Sequence, residues 1–210
     1  MNNLFILKGI KMENVSFLRM DEGTPEDYLF LHKKELEYTK ELPSRIITAL
    51  KNIENSHSGY KISRLEHSLQ SATRAEADGA DIEIIVAALI HDIGDDLAPV
   101  NHSQLAATII RPYVREEVSW IVSMHGLFQM YYFGPKDWEG KEIGINKTLR
   151  DKYINHKWYK SCDKFCRDWD QMSFDPDYPT KPLEYFKPMI TEIFTREPFD
   201  PKIVSQKEFE

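Results

Sequence analysis

Four histidines and two aspartates sit where their neighbours are apolar: His67, His91, Asp92, His102, His125 and Asp170. The sharpest case is "AALIHDIGDD", residues 87 to 96, where His91 and Asp92 follow the apolar run Ile84-Ile85-Val86-Ala87-Ala88-Leu89-Ile90. Burying such a pair costs several kcal/mol unless a partner charge or a metal ion compensates. His125 falls seven residues after Val118, on the face that Ile121 and Val122 share, and an imidazole turned into a core needs a partner for each ring nitrogen. Asp170 borders the stripe formed by Phe165, Cys166 and Trp169. His67 lies beside the stripe of Leu65, Leu69 and Ala72, and His102 opens a helix ten residues after Asp92. Each residue alone also fits a structural role: a boundary histidine, a buried salt bridge, or, for Asp170, an ion pair with Arg167. Together they form an ordered H…HD…H…H…D series. Four imidazoles and two carboxylates supply three or four ligands to each of two ions, with Asp92 spanning them. Nitrogen-rich ligation of this kind suits iron, manganese, cobalt or zinc better than magnesium.

The elements that must position these groups read as helices. Thr24 as N-cap with Pro25 behind it predicts a helix through "TPEDYLFLHKKELEYTKEL", and "PSRIITALKNIEN" predicts a second. Ser63 followed by Glu66 is a capping-box pattern opening "SRLEHSLQSATRAEADGA", which should end near Gly79. "DIEIIVAALIHDIG" should run to Gly94, "NHSQLAATIIRPYV" to about Pro112, and "REEVSWIVSMHGLFQMYYF" should break or end around Gly126. "GPKDWEGKEIGINKT" reads as a surface loop, after which helices resume through "DKYINHKWYKSCDKFCRDWDQMSF" and "KPLEYFKPMITEIFT". Strand alternation is absent, so the expected class is all-α. The aromatic group Phe128, Tyr131, Tyr132 and Phe133 reads as core at a helix end, with a pocket wall as the other option. His32 and His57 read as solvated.

A net charge of −7 argues against a general nucleic-acid binder. A small anionic substrate remains compatible, because a few local positive groups reverse the field inside a pocket. No stretch is long and apolar enough to cross a bilayer, and the start lacks a secretory pattern. Met12 is a second candidate start. Cys162 and Cys166, four apart, read as buried thiols in a reducing cytoplasm. Cytoplasmic location, no membrane and no nucleic acid are the expectations.

With that series in hand, residues 58 to 190 resemble the HD superfamily, all-helical metalloproteins named for an adjacent His-Asp. "LEHSLQ", "AALIHDIG" and "WD" at Trp169-Asp170, followed by Asp175-Pro176, are similar to segments of the mixed-valent diiron oxygenases. These include the organophosphonate-degrading oxygenases and, more distantly, myo-inositol oxygenase. The resemblance implies that His67, His91 and Asp170 hold one iron, that His102 and His125 hold the other, and that Asp92 bridges. It further implies Arg167 on the anionic group of the substrate, on the side of Asp170, with Tyr60 and Gln129 also binding substrate. Gln129 stands where the phosphonate enzymes carry a lysine, and Tyr60 is shifted from their tyrosine. The expected architecture is an HD helical bundle at 58–210, preceded by a helical extension at 1–57 packed on it. The expected function is an O2-dependent diiron oxygenase cleaving a small, anionic, hydroxylated substrate. A metal-dependent phosphohydrolase acting on a nucleotide or phosphate ester is the alternative, and a metal-bearing module without turnover the third reading.

Overall fold

A computed structural model describes residues 13–56, 59–132 and 149–198. The expected loop at 134–148, Phe133, His57 and the alternative start at Met12 lie outside the described residues. Every regular element among the described residues is helical, and none of these helices is long and apolar enough to cross a membrane. The described residues fall into two compact units, one up to Leu42 and one from Pro43 onward.

In the first unit, α1 (Pro25–Lys40) starts where Thr24 caps it. Asp27 closes the box: it accepts from the Thr24 N–H and hydroxyl, and from the Ser16 N–H at 2.8 Å. The N–H groups of Ser16 and Thr24 hold its carboxyl at about 2.

The second unit contains α2 (Leu42–Asn52, from its second residue), α3 (Arg64–Ala77), α4 (Ile82–Ile90), α5 (His102–Ile110), α6 (Glu116–Gln129), α7 (Tyr159–Lys164) and α8 (Leu183–Phe194). A π-helical turn, Phe165–Asp170, continues α7. The α3 helix packs on α4 and on the π-turn; α4 also meets α6 and α8, and α6 meets α5, α7 and the π-turn. The core is built around α4, whose residues Ile84 to Ile90 are all buried. Cys162 and Cys166 are buried free thiols.

Three boundaries matter for the candidate chemistry. At the end of α3 the Gly79 φ of +77° permits a left-handed turn, and the Ala80 N–H closes it on Ala75 O at 3.0 Å. The α4 helix ends at Ile90 rather than at Gly94, because the His91 ring donates to Ala88 O at 2.7 Å. That carbonyl would otherwise accept from the Asp92 N–H, so the dyad lies in a run of turns just past the helix. The α6 helix, in contrast, runs straight through Gly126 to Gln129. Gly126 serves contact rather than termination, since a Cβ there would approach Ser103 Oγ of α5 to 2.7 Å.

Gly94 plays the same part for the dyad loop. A Cβ at Gly94 would lie 2.9 Å from His102 O and 3.1 Å from His102 Cα, so its hydrogen lets the loop rest against the first residue of α5. Backbone cannot yield as a side-chain tip can. Gly94→Ala is therefore expected to cost about 1–3 kcal/mol of stability, as overpacking does. Equilibrium denaturation measures it; an unchanged midpoint would mean that the loop is free to shift.

Candidate metal centre

The α3 helix turns a polar stripe inward: His67, Gln70 and Ser71 are all buried. His91 and Asp92 come from the end of α4, His125 from α6 and Asp170 from the last position of the π-turn. All five of the candidate groups His67, His91, Asp92, His125 and Asp170 are at most 4% exposed. His102, at the start of α5, is the open edge, with a side chain 23% exposed.

The hydrogen bonds fix how the rings present themselves. His67 Nδ1–H donates to Ser173 O at 2.8 Å, His91 Nδ1–H to Ala88 O at 2.7 Å, and His125 Nδ1–H to Val122 O at 2.6 Å. A carbonyl only accepts, so the proton of each neutral ring is on Nδ1 and the Nε2 lone pair points inward. His67 Nε2 and His91 Nε2 then face each other at 3.1 Å with no hydrogen between them. Two lone pairs at that distance repel unless a proton or a metal ion joins them. Two nitrogens about 2.1 Å from one ion stand about 3 Å apart when they are cis. Asp170 Oδ1 completes the triangle, 3.3 Å from His67 Nε2 and 3.7 Å from His91 Nε2.

Asp92 divides its two oxygens. Its Oδ2 lies 3.5 Å from the Nε2 atoms of both His67 and His91, while its Oδ1 lies 3.3 Å from His125 Nε2 and 3.5 Å from His102 Nε2. The donors therefore form overlapping groups that could hold metal: His67, His91 and Asp170; His91, Asp92 and His125; and Asp92, Asp95 and His102. Asp170 Oδ2 is buried without a hydrogen-bond partner. A buried, unsatisfied carboxylate oxygen is what a cation site leaves behind when the cation is removed from view.

Electrostatics agree with this chemistry. Burial pushes the Asp92 and Asp170 carboxyls up, but the surrounding imidazoles, His91 foremost, hold both well below the usual carboxylate range. Burial pushes His67 and His91 down, and the charges of Asp92 and Asp170 more than reverse this. Asp95 is raised by burial and by the neighbouring Asp92 charge. Where the imidazoles are neutral, Arg64 is the one guanidinium among the described residues that stands against Asp92 and Asp95. The cluster is short of positive charge.

The structure brings together His67, His91, Asp92, His102, His125 and Asp170, and it separates Arg167 from them. The Arg167 side chain is 51% exposed and is tied to Asp163 at 2.8 Å and to Asp168 at 2.8 and 3.0 Å. The reason is the π-turn. Its i→i+5 closure, seen as Gln171 N–H donating to Cys166 O at 3.0 Å, rotates Arg167 away from the side that Asp170 occupies. The arginine at the cluster is Arg64, which stands 3.3 Å from Asp92 Oδ2 and 2.8 Å from Asp95 Oδ2. Its signal was its place three residues before His67 on one helix face. Asp95 turns inward beside it, while Asp96 is exposed. Gln129 does reach the site, donating to Asp170 Oδ1 at 2.8 Å, so it orients that carboxylate. Tyr60 lies at the rim, its ring 5.0 Å from Phe174, which stacks on His67 at 4.4 Å.

Gln70 is the residue that the pattern concealed. Its amide clamps Asp175 from both sides, donating to Asp175 O at 2.5 Å and accepting from the Asp175 N–H at 3.3 Å. This holds the strap that carries Ser173 O and Phe174 against His67.

The HD domain model matches residues 64–168, half of the 210-residue chain. The chain belongs to the HD domain family. No curated protein matches it. HD domains bind divalent metals, and membership points to a metal-dependent enzyme in general terms; Asp170 lies two residues beyond the matched segment.

Two outcomes follow. A raised imidazole pKa means that proton binding stabilises the metal-free HD domain below about pH 6.5, and that this contribution fades as pH rises through the shifted value. Metal competes with those protons, so the gain in Tm on adding Mn2+ should grow between about pH 6 and 8. A gain independent of pH would mean that the imidazoles do not bind it. Gln129→Ala, which removes the amide held on Asp170, should weaken metal binding about 10- to 100-fold, the usual cost of losing an orienting partner. Equilibrium dialysis reads this directly.

Proposed function

We propose that this HD protein holds two transition-metal ions, iron in the working enzyme, and uses O2 to cleave a small hydroxylated anion. The observation that carries the dinuclear reading is the split of Asp92, one oxygen toward His67 and His91 and the other toward His125 and His102. In this reading His67, His91 and Asp170 hold the buried ion, His125 and His102 hold the outer one, and Asp92 bridges. Four imidazoles favour iron, manganese, cobalt or zinc over magnesium. The similarity of the His67, His91 and Asp170 segments to diiron oxygenases supports iron and O2.

The protein's own contribution is positioning and charge. Without cations the cluster carries two uncompensated negative charges; two divalent ions reverse that to two positive ones, which attract an anion into a water-poor site. Arg64 supplies a fork at the same place, held in register by Asp95 at 2.8 Å and lying over Tyr60 at 5.3 Å. The approach for substrate is the His102 edge, where the cluster is least covered. Gln129 holds Asp170 still, and the carbonyls of Ser173, Ala88 and Val122 hold the rings in one tautomer. When bound, iron supplies O2 activation that side chains do not.

One observation favours hydrolysis of a phosphate ester instead. The outer group, Asp92, Asp95 and His102, is rich in oxygen and partly open to solvent, which suits an ion that retains water. Metal analysis and atmosphere separate the two readings. The oxygenase reading expects near two iron per chain after anaerobic purification and a mixed-valent EPR signal on partial oxidation. Robust anaerobic phosphate release from a nucleotide or a simple ester would replace it with hydrolysis. His125→Ala should lose about half of the bound metal and most activity; if both ions stay, the division of donors given above is wrong.

A further inference from the structure

We propose that Arg74, Tyr178 and Trp169 form an accessory site for a small oxyanion, a carboxylate or phosphate, distinct from the His/Asp cluster. A surface cavity of about 290 Å³ is lined by Arg74, Asp78, Asp168, Trp169 and Tyr178. Arg74 is the seventh residue after His67, which places it two turns, about 10 Å, further along α3.

The charge pattern of this cavity singles out Arg74. Asp78 accepts from Lys164 Nζ and from the Trp169 indole N–H at 3.3 Å. Asp168 is held by Lys164 at 3.0 Å and by Arg167 at 2.8 Å. Both carboxylates of the cavity are thus answered by cations of α7 and its π-turn, Lys164 and Arg167. Arg74 makes no ion pair with any described residue, and its Nε is buried without an acceptor. Arg64, Arg115, Arg150, Arg167 and Arg196 each hold a carboxylate.

Geometry gives the ligand class. The Arg74 guanidinium carbon sits over the Tyr178 ring, 3.7 Å from its centroid, so one face of the guanidinium is covered and its N–H groups are what remains to bind. A fixed planar fork matches the two oxygens of a carboxylate or phosphate. A half-buried guanidinium has lost part of its hydration, so an oxyanion replaces less water there than at an exposed lysine. One uncompensated positive charge calls for one anionic group.

Isothermal calorimetry on the full, metal-bearing chain tests the site. Inorganic phosphate and acetate are titrated separately, with chloride at matched ionic strength as the control. Beside the anion that the metal cluster takes up, we expect one further saturable anion site per chain with a Kd of about 1 mM. It persists in His91→Ala, falls at least tenfold in Arg74→Gln, and weakens in Tyr178→Leu, which removes the plane under the guanidinium. Should Arg74→Gln not fold, Arg74→Lys keeps the charge and loses the fork, and should weaken binding several-fold. No saturation with either anion, binding that survives Arg74→Gln, or binding that disappears with His91→Ala alone would each overturn the site; the last would place the anion at the metal cluster. Binding of phosphate without acetate would narrow the class to phosphate groups.

Discussion

The structure turns on one electrostatic constraint: imidazoles whose Nδ1 protons are committed to backbone carbonyls leave their Nε2 lone pairs facing one another. His67 and His91 show it most plainly, at 3.1 Å, with Asp92 and Asp170 closing the same space. Buried donors of this kind repel each other and cannot reach water. A positive charge at their centre removes the conflict, whereas a proton serves only one pair at a time. The buried charge problem and the candidate chemistry are therefore the same problem. A buried polar atom left unpaired is costly, and although Gln129 and the imidazoles serve Asp170 Oδ1, its Oδ2 has no hydrogen-bond partner among the described residues.

Much of the surrounding fold maintains this arrangement rather than maximising helix. The α4 helix stops at Ile90 because the His91 ring takes the carbonyl of Ala88, and stopping there frees Asp92 to reach two groups of donors. Gly94 and Gly126 bring α5 against the dyad loop and against α6, which sets His102 and His125 5.2 Å apart, ring to ring. The π-turn places Asp170 on the inward side together with Phe165, Cys166 and Trp169, all buried. Regular α-helix through that segment would change the phase of its final residue. Gln70 and Gln129 act on the next layer, one holding the strap behind His67 and the other holding Asp170.

The all-helical class and the cluster of six residues were legible in the sequence because each residue breaks an apolar pattern at an inward position. A histidine seven residues after Val118 is visible as an intrusion into a core stripe. What was not legible depended on phase or on distant partners. The resemblance put Arg167 on the side of Asp170, which regular α-helical geometry would allow; the π-turn turns it away. The adjacent Asp95 and Asp96 are indistinguishable in the sequence, yet the turn after Ile90 points Asp95 at Arg64 and leaves Asp96 exposed. Gln70 looks like an ordinary helix residue until Asp175, 105 residues later in the chain, is folded against it. Gly126 was read as a break, because the sequence does not show that Ser103 lies where its Cβ would be.

The donor set is unequal, and the inequality constrains any mechanism. His67, His91 and Asp170 are sealed, with side chains no more than 3% exposed, while His102 opens to solvent. An ion among the sealed donors has to enter before the fold closes or through local opening, and its charge is felt most strongly because little water screens it. The outer donors would leave an ion open to solvent at the His102 edge, where the side chain is 23% exposed. In the proposed reading a substrate anion would approach the outer donors, and Asp92 is the side chain that faces both groups. In this division of labour, Arg64 is the sole guanidinium beside Asp92 among the described residues. It balances the bridge from the protein side and leaves the face toward His102 for the incoming ligand.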